Sequence, residues 1–184
     1  MSIYTKKGDK GKTSIFKGKS TRVSKNSPEI RAIGAIDELN SFLGMVIAFS
    51  DRHLDLVNKE LYKVQRNLLT IGSIIAGSKL KFGKSETKSL EKLIDKFDKN
   101  LPPLHKFILP GGTKLASLLQ YTRALARRTE REVVDFNENQ KVLPEILTYL
   151  NRLSDTLYVL ARWVNINEGG KELIWNSSKN KLGN

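Results

Sequence analysis

Four charged side chains at helical spacing between residues 123 and 131 are the first candidates for chemistry. Arg123 and Arg127 are four residues apart, and Glu130 and Arg131 follow one turn later, so a helix projects all of them from one side. Like charges at this spacing repel one another, and a polyphosphate gripped by planar guanidinium groups would supply the missing partner. The alternative is an ordinary exposed face on which Glu130 neutralises one arginine. The cluster therefore predicts either a nucleotide site or a solvated helix surface.

A basic segment that contains glycine is the second candidate. Residues 5–14 combine glycines, lysines and hydroxyl side chains, which together can surround an anion with backbone amides and positive charge. Gly11-Lys12-Thr13 imitates the end of a Walker A motif, but the first glycine of that motif would fall on Lys6. A Walker loop also joins a buried parallel strand to a helix, and the sequence has no such strand. The segment is either a phosphate loop of another kind or a flexible basic N-terminus.

Two polar residues in other predicted helices complete the set of candidates. Asp37 lies near Gly34 and Gly44, small residues that cost helix stability and therefore indicate close packing against a helix or a ligand. Asp37 can pair with an arginine of a neighbouring subunit. Asn151 can bind an adenine edge or a phosphate, although an asparagine within a helix is often simply solvated.

Helices must position these residues, because apolar residues recur with the helical period in five stretches after Pro28. Prolines end the third stretch, Thr113 is a candidate cap for the fourth, and Pro144 lies in the first turn of the fifth. Short links between the stretches predict an all-α fold, a five-helix antiparallel bundle. The predicted helices span about 29–50, 54–77, 85–99, 113–138 and 142–167.

The helices form a single domain with an extension at each end. Residues 1–28 are predicted to be an ordered nucleotide-binding loop or a short hairpin, and residues 29–168 to be the bundle. Residues 169–184 form a C-terminal tail that we interpret as mobile. Its apolar residues, Leu173, Ile174 and Trp175, could instead dock on the bundle.

The overall composition excludes several classes of protein. The chain has 184 residues, 39% of them hydrophobic, which predicts one soluble globular domain. It has no cysteine, which excludes disulfides, thiolate catalysis and cysteine-based zinc sites and suits a reducing compartment. No stretch approaches the roughly 18 apolar residues of a membrane span, and the N-terminus lacks the apolar core of a signal peptide. We therefore expect a cytoplasmic protein with no membrane partner.

The formal net charge of +13 attracts polyanions, so nucleic acids compete with nucleotides as partners. Most of the lysines crowd loops, an exposed helix and the tail, which we interpret as solvated surface. Glu130 and Glu132 interrupt the basic run of the fourth helix, which argues against a helical nucleic-acid binder. An ATP-dependent helical enzyme such as a phosphotransferase, which would release ADP, is a further alternative.

Taken together, four segments in order resemble the PduO-type ATP:cob(I)alamin adenosyltransferases over about residues 3–165. The resemblance implies a ferritin-like helical bundle that assembles as a homotrimer with its active site between subunits. It implies transfer of the 5′-deoxyadenosyl group of ATP to the cobalt of reduced cob(I)alamin, or of a corrinoid precursor, which releases triphosphate and forms adenosylcobalamin. The segments are residues 4–14, residues 34–41, residues 107–112 with 127–131, and residues 150–155.

The resemblance also implies a role for individual residues. Arg123 and Asp37 are implied as a catalytic pair that meets across the subunit interface, with Arg123 also contacting ATP. Phe107 is implied as the catalytic, cobalamin-binding residue that crowds the lower face of the corrin and displaces its axial ligand. The implied ATP-binding residues are Thr5, Lys6, Lys7, Gly8, Thr13, Ser14, Lys25, Arg127, Glu130, Arg131 and Asn151.

ATP and a corrinoid are thus the implied substrates, with magnesium on the phosphate oxygens and no metal ligand from the protein. The nucleophile is the cobalt of the substrate, so the chain needs no serine, cysteine or histidine nucleophile. A cobalt reductase and an adenosylcobalamin-dependent enzyme are implied as further partners, and nucleic acid is not. The lysine-rich third helix and the tail carry no recognisable signature and no predicted role.

Overall fold

A computed structural model describes Tyr4 and residues 6–16, 20–50 and 54–175 of the chain. Within these residues the fold consists of five helices preceded by a two-stranded antiparallel sheet, which confirms the predicted all-α class. The strands are β1 (Lys12–Phe16) and β2 (Ser20–Ser24), and the helices are α1 (Pro28–Ala48), α2 (Asp55–Ile75), α3 (Lys84–Asp98), α4 (Lys114–Asn139) and α5 (Pro144–Asn167). Thr5, which the resemblance implied as an ATP-binding residue, lies outside the described residues.

The helix ends follow the local chemistry of the sequence. The Ser27 side chain accepts a hydrogen bond from the Ile30 amide and caps α1, which has proline in its first turn. Thr113 accepts a bond from the Ala116 amide, which confirms it as the cap of α4. Pro144 occupies the first turn of α5, as the sequence predicted.

Helices α1 and α4 run in opposite directions, as the ion pairs between them illustrate. Arg31 at the start of α1 pairs with Asp135 near the end of α4, whereas Glu38, further along α1, pairs with Arg128, which is earlier in α4. Between these pairs, the hydroxyl of buried Thr129 donates to the Ala35 carbonyl at 3.0 Å. The α1-facing side of α4 is therefore occupied by intramolecular contacts.

The third helix lies beside α5 and runs parallel to it. Glu91 contacts Arg152 at 3.4 Å, and further along both helices Phe97 packs edge-on against Trp163, with ring centroids 4.8 Å apart. Helix α4 separates α1 from α5 in the packing order. The pairs α4–α5, α1–α4, α3–α5 and α1–α2 pack side by side, and the Asn67 amide of α2 also reaches Glu86 of α3 and Tyr149 of α5.

The core is built from the apolar stripes that the helical period predicted. Tyr149 is also fully buried, and its hydroxyl oxygen accepts a hydrogen bond from the Asn67 amide at 3.2 Å. Burial raises the pKa of the Tyr149 hydroxyl well above its ordinary value. Among the fully buried side chains are Leu39, Leu43, Leu61, Leu68, Ile71, Leu119, Ile146, Leu150, Leu153 and Leu157.

The segment after α5 does not extend into solvent as far as the structure describes it. Gly170 follows α5, and Ile174 forms an antiparallel bridge with Ile108 in the loop before α4. The sequence predicted a mobile tail, with docking of Leu173, Ile174 and Trp175 on the bundle as the alternative. In the structure these residues contact the loop before α4 through their backbone, while their side chains are exposed. A lone bridge of this kind leaves no periodic signal in the sequence.

No helix in the described part of the chain combines the length and apolarity needed to cross a membrane.

Candidate active site

A cleft of about 680 Å³, here called the hairpin cleft, lies between α1, α2 and the β1–β2 hairpin. Thr13 and Lys25 from the hairpin and Asp37 from α1 line it, which brings three predicted site residues together. Gly34 also lines the cleft, and no atom lies within 4 Å of the position that a Cβ would take. The small residues that flank Asp37 thus leave room for a ligand at Gly34.

The loop before β1 contacts Lys25, which lines this cleft. Gly11 has a φ of 71°, which favours glycine, and its carbonyl accepts a bond from the Lys25 amide at 2.9 Å. A Cβ on Gly8 would lie 3.3 Å from the Lys25 ammonium nitrogen, so that cation is held against the loop backbone. Lys6 and Lys7 are exposed nearby. Glycines and cations therefore meet at one place, as an anion site requires.

The hairpin register separates two predicted phosphate ligands. Thr13 faces the cleft on the same side of β1 as buried Ile15, because alternate residues of a strand share a face. Ser14 projects from the opposite face and is exposed. The hairpin therefore directs Thr13, and not Ser14, into the cleft.

A second cleft, of about 560 Å³ and here called the loop cleft, lies between α4, α5 and the loop of residues 102–113. Phe107 and Arg123 both line it, with Gln120 and Tyr158. The Arg123 Nε donates to the Gln120 side-chain oxygen at 3.0 Å, which orients the guanidinium. The proposed corrin-facing phenyl ring and the proposed catalytic arginine therefore share a pocket with apolar walls.

The electrostatics of the loop cleft involve Tyr158. Burial raises the pKa of the Tyr158 hydroxyl, the positive charges of Arg162 and Arg123 oppose that shift, and the Glu172 carboxylate adds to it. Because burial is the largest cause, Tyr158 stays a neutral hydroxyl at physiological pH. The cleft thus combines a neutral donor with the cation Arg123.

The remaining predicted residues form a polar cluster on α4 and α5, here called the α4–α5 cluster. The Asn151 amide donates to the Glu130 carboxylate at 2.9 Å, and Arg131 donates to the Arg127 carbonyl at 3.1 Å. The Glu130 carboxylate therefore accepts a hydrogen bond from an amide. With the arginines that the structure describes, it does not form the ion pair that the sequence offered as an alternative. Both guanidinium groups remain exposed to solvent.

The clefts lie apart within one chain. The side of α4 that faces α1 carries Thr129, whereas Arg127 and Arg131 project from other sides of the helix, and no α4 or α5 residue lines the hairpin cleft. No residue lines both the hairpin cleft and the loop cleft. In one copy, Asp37 and Arg123 therefore belong to different pockets.

Several charges of the candidate site lack a partner of opposite sign within the part of the chain that the structure describes. Among the described ranges, neither Asp37 nor Arg123 takes part in an ion pair, and neither does Arg127. Elsewhere on the same helices, Arg31, Glu38 and Arg128 are all paired. Asp37, Arg123 and Arg127 therefore keep their charges available for a ligand or for another copy of the chain.

The sequence of residues 3–164 matches the family model described as cobalamin adenosyltransferase, which covers most of the chain. The chain belongs to the cobalamin adenosyltransferase family. It is 39% identical over 175 residues to the corrinoid adenosyltransferase of Bacillus subtilis, which covers 92% of this chain and 89% of the relative. It is 38% identical over 183 residues to the human corrinoid adenosyltransferase MMAB, covering 94% of this chain and 72% of the relative.

Solved structures of the family share the fold. A variant of the PduO-type ATP:corrinoid adenosyltransferase of Lactobacillus reuteri, complexed with cobalamin and ATP, superposes with a TM-score of 0.91 at 35% identity. The match covers 96% of this chain and all of that one. A second variant of that enzyme, complexed with ATP, superposes with a TM-score of 0.88 at 36% identity. The bundle of this family member is therefore that of the PduO-type enzymes.

The structure adds residues that pattern analysis did not identify. Gln120 is buried at the wall of the loop cleft, where it holds Arg123, and its spacing of three from that arginine was the available signal. Buried Asn165 accepts a hydrogen bond from the Thr113 amide at 2.9 Å and so joins the end of α5 to the start of α4. A polar residue in the apolar seam of α5 was the corresponding signal.

Proposed function

We propose that this protein performs its family's reaction at a site that two copies of the chain complete together. As a family member it is an ATP:corrinoid adenosyltransferase, which transfers the adenosyl group of ATP to a corrinoid. The observation that carries the proposal is the placement of unpaired Asp37 and unpaired Arg123 in separate clefts of one chain. A heterologous contact that brings one copy's hairpin cleft to the next copy's α4 would pair these charges, and three copies would close the ring.

The triphosphate of ATP is the ligand that the hairpin cleft and its loop suit best. Lys25 lies against Gly8, and Thr13 adds a hydroxyl donor, so cations, backbone amides and a hydroxyl surround one space. Thr5, Lys6 and Lys7 would add contacts around the same phosphates, whereas Ser14 lies on the opposite face of β1. In the α4–α5 cluster of the next copy, Arg127, Glu130, Arg131 and Asn151 would hold the remainder of the nucleotide.

The chemistry requires little covalent participation by the protein. The cobalt(I) of the reduced corrinoid attacks the 5′-carbon of ATP, a cobalt–carbon bond forms, the carbon–oxygen bond to triphosphate breaks, and triphosphate leaves with the bonding electrons. Negative charge grows on the departing oxygen, and Arg123 and the surrounding lysines stabilise it. Holding both reactants in line can contribute about 7–11 kcal/mol at most.

The loop cleft is the proposed corrin side of the site. Phe107 is 78% exposed, the highest value among the large hydrophobic side chains that the structure describes as exposed, and it stands beside Arg123. Packed against the lower face of the corrin, this ring would exclude water and take the place of the axial ligand. The reduced cobalt would then have only its upper face available for ATP.

Magnesium fits this arrangement as a companion of the nucleotide. Within the described part of the chain, no three histidine, aspartate or glutamate side chains converge in the way a protein-bound metal needs. The phosphate oxygens would therefore provide most of the ligands, and Asp37 is the carboxylate that lines the hairpin cleft. The ion would add to the neutralisation of the triphosphate.

The decisive experiment incubates the protein with chemically reduced cobalamin, ATP and magnesium and follows the visible absorbance of the corrinoid. We expect a cobalt–carbon bond to form and one triphosphate to be released for each corrinoid consumed. A phosphotransferase would release ADP, and a nucleic-acid binder would change neither the corrinoid nor ATP. Arg123→Ala should lower turnover by about 10²–10³-fold, whereas Lys92→Ala, which removes one exposed charge from α3, should not.

The oligomeric state, the cellular location and the partner enzymes of this protein are also proposals. The homotrimer can be tested by light scattering after size-exclusion chromatography. A cytoplasmic location can be tested by fractionation of the source cells. A cobalt reductase would supply the reduced substrate, and an adenosylcobalamin-dependent enzyme would consume the product.

A further inference from the structure

A buried ion pair joins the end of α5 to the segment that follows it. Arg162 is 4% exposed, and Glu172 is 13% exposed at its side chain. The Arg162 Nε donates to one carboxylate oxygen at 2.7 Å, and a terminal guanidinium nitrogen donates to the other at 3.1 Å. That same nitrogen donates to the Pro102 carbonyl at 3.0 Å. One guanidinium thus holds both the segment after α5 and the start of the loop that carries Phe107.

The segment of residues 170–175, here called the C-terminal strap, also bonds the centre of that loop. The Leu109 amide donates to the Leu173 carbonyl at 2.8 Å, and the Trp175 amide donates to the Phe107 carbonyl at 2.7 Å. The second bond reaches the proposed corrin-facing residue itself. The strap therefore fixes the backbone of Phe107 directly.

The far end of the loop is anchored by the same part of α5. The Asn165 oxygen accepts from the Thr113 amide, and a Cβ on either Gly112 or Gly170 would overlap the Asn165 side chain. Loop and strap therefore both pass close to Asn165, and a side chain at either glycine would displace the Asn165 amide group that bonds Thr113. Together with Pro102, this contact defines both ends of the loop.

We propose that the C-terminal strap, locked by the Arg162–Glu172 pair, positions Phe107 for the corrin. The inference rests on the proposed function, because it takes Phe107 as the residue that faces the corrin. The Phe107 side chain is largely exposed, so side-chain packing does not hold it, and backbone hydrogen bonds to the strap take over that task. Arg162, Glu172 and the Trp175 amide are accordingly positioning groups, not catalytic ones.

The proposal predicts an effect on the corrinoid and not on ATP. The strap bonds the backbone of Phe107, which lines the loop cleft, whereas the hairpin lies at the other cleft. A loosened strap lets Phe107 occupy positions that do not fit the corrin, which raises the KM for the corrinoid or lowers kcat. The KM for ATP should stay the same.

The test compares Trp175→Pro with Trp175→Ala, because both lose the indole and only proline loses the amide hydrogen that bonds Phe107. We expect kcat/KM for reduced cobalamin to be about tenfold lower in the proline variant than in the alanine variant, as the loss of one backbone hydrogen bond suggests. The KM for ATP should be equal in the two. Electron paramagnetic resonance of bound cobalt(II) cobalamin should report a smaller fraction without its axial base in the proline variant.

Equal corrinoid kinetics and equal spectra in the two variants would overturn the proposal, as would a KM for ATP that rises in step with that for the corrinoid. Glu172→Gln keeps the shape of the side chain and provides a second test with the same expected direction, after its thermal melt has been checked. Phe107→Ala separates the two levels of inference. If it changes the corrinoid kinetics and the strap variants do not, only the strap proposal fails; if it changes nothing, the assignment of Phe107 fails with it.

Discussion

Subunit mixing tests whether Asp37 and Arg123 act from different copies. In each chain Asp37 lines the hairpin cleft and Arg123 lines the loop cleft, and neither has an ion-pair partner among the residues that the structure describes. Homo-oligomers of Asp37→Ala and of Arg123→Ala should both be nearly inactive. Joint assembly of the two inactive chains should restore activity, because some contacts then join an intact Asp37 to an intact Arg123.

The size of the recovery follows from counting these contacts. A site is intact when the copy that supplies Asp37 is the Arg123→Ala chain and its neighbour is the Asp37→Ala chain. With equal amounts and random assembly, each condition holds for half of the copies, so about one quarter of the sites are intact in a closed ring of any size. If each variant alone retains about 1% of wild-type turnover, mixing should raise turnover by about 25-fold.

The assay needs assemblies that form from both chains at once. Co-expression of the two variants with different tags, or refolding from a common denatured pool, provides them, and mass spectrometry verifies the ratio. Turnover is then measured as adenosylcobalamin formed per subunit at saturating ATP and reduced cobalamin. The two variants mixed after separate assembly give the baseline.

A matched control uses two variants of the same cleft. Lys25 and Asp37 line the hairpin cleft of one chain, so mixtures of Lys25→Ala and Asp37→Ala contain no intact cleft and should not regain activity. If Asp37→Ala mixed with Arg123→Ala also stays inactive, both residues act within one chain, and the inference of a shared site is refuted. Recovery in the control mixture would show that Lys25 and Asp37 do not serve the same site.

The remaining predictions concern single residues. Phe107→Ala should leave the melting temperature nearly unchanged, because the ring is 78% exposed, yet it should impair corrinoid turnover at constant KM for ATP. Glu172→Ala should lower the free energy of unfolding by about 3–5 kcal/mol, because it leaves the buried Arg162 unpaired. The double variant in which Arg162 becomes methionine and Glu172 becomes leucine should lose much less. A denaturant titration measures both values. Burial raises the pKa of the Tyr149 hydroxyl in the folded protein above its value in the unfolded chain. As the pH rises, the hydroxyl therefore ionises first in the unfolded chain, which stabilises that state. The contribution of the neutral hydroxyl to the free energy of unfolding is complete below pH 10.0 and falls above it. Wild-type stability should therefore decline above that pH by up to about 1.4 kcal/mol per pH unit more than the stability of Tyr149→Phe, as alkaline unfolding curves of the two would reveal.

Much of the fold could be predicted from the sequence because its determinants are local. The helical period of apolar residues specifies which face of each helix is buried, and Leu150, Leu153 and Leu157 are indeed buried on α5. Caps such as Thr113 and first-turn prolines such as Pro144 mark helix ends through interactions within a few residues. The order of the motifs was sufficient to suggest the family, which the comparisons then confirmed.

The candidate site depended on contacts between residues distant in sequence. Helical spacing placed Arg123 and Arg127 on one side of α4, but only the packing of the 102–113 loop encloses Arg123 in a cleft and leaves Arg127 exposed. Spacing alone allowed Glu130 to pair with an arginine of its own helix. In the structure Glu130 instead accepts a hydrogen bond from Asn151 on the neighbouring helix.

By itself, then, the sequence determined the five helices, their buried faces and the set of charged residues available for a nucleotide. Tertiary structure alone decided that Asp37 and Arg123 lie in separate clefts and that Glu172 returns to Arg162 beneath the Phe107 loop. The physical reason is the range of the interactions. Helix periodicity and capping act over a few residues, whereas a pocket or a single strand bridge exists only after segments far apart in the chain have packed together.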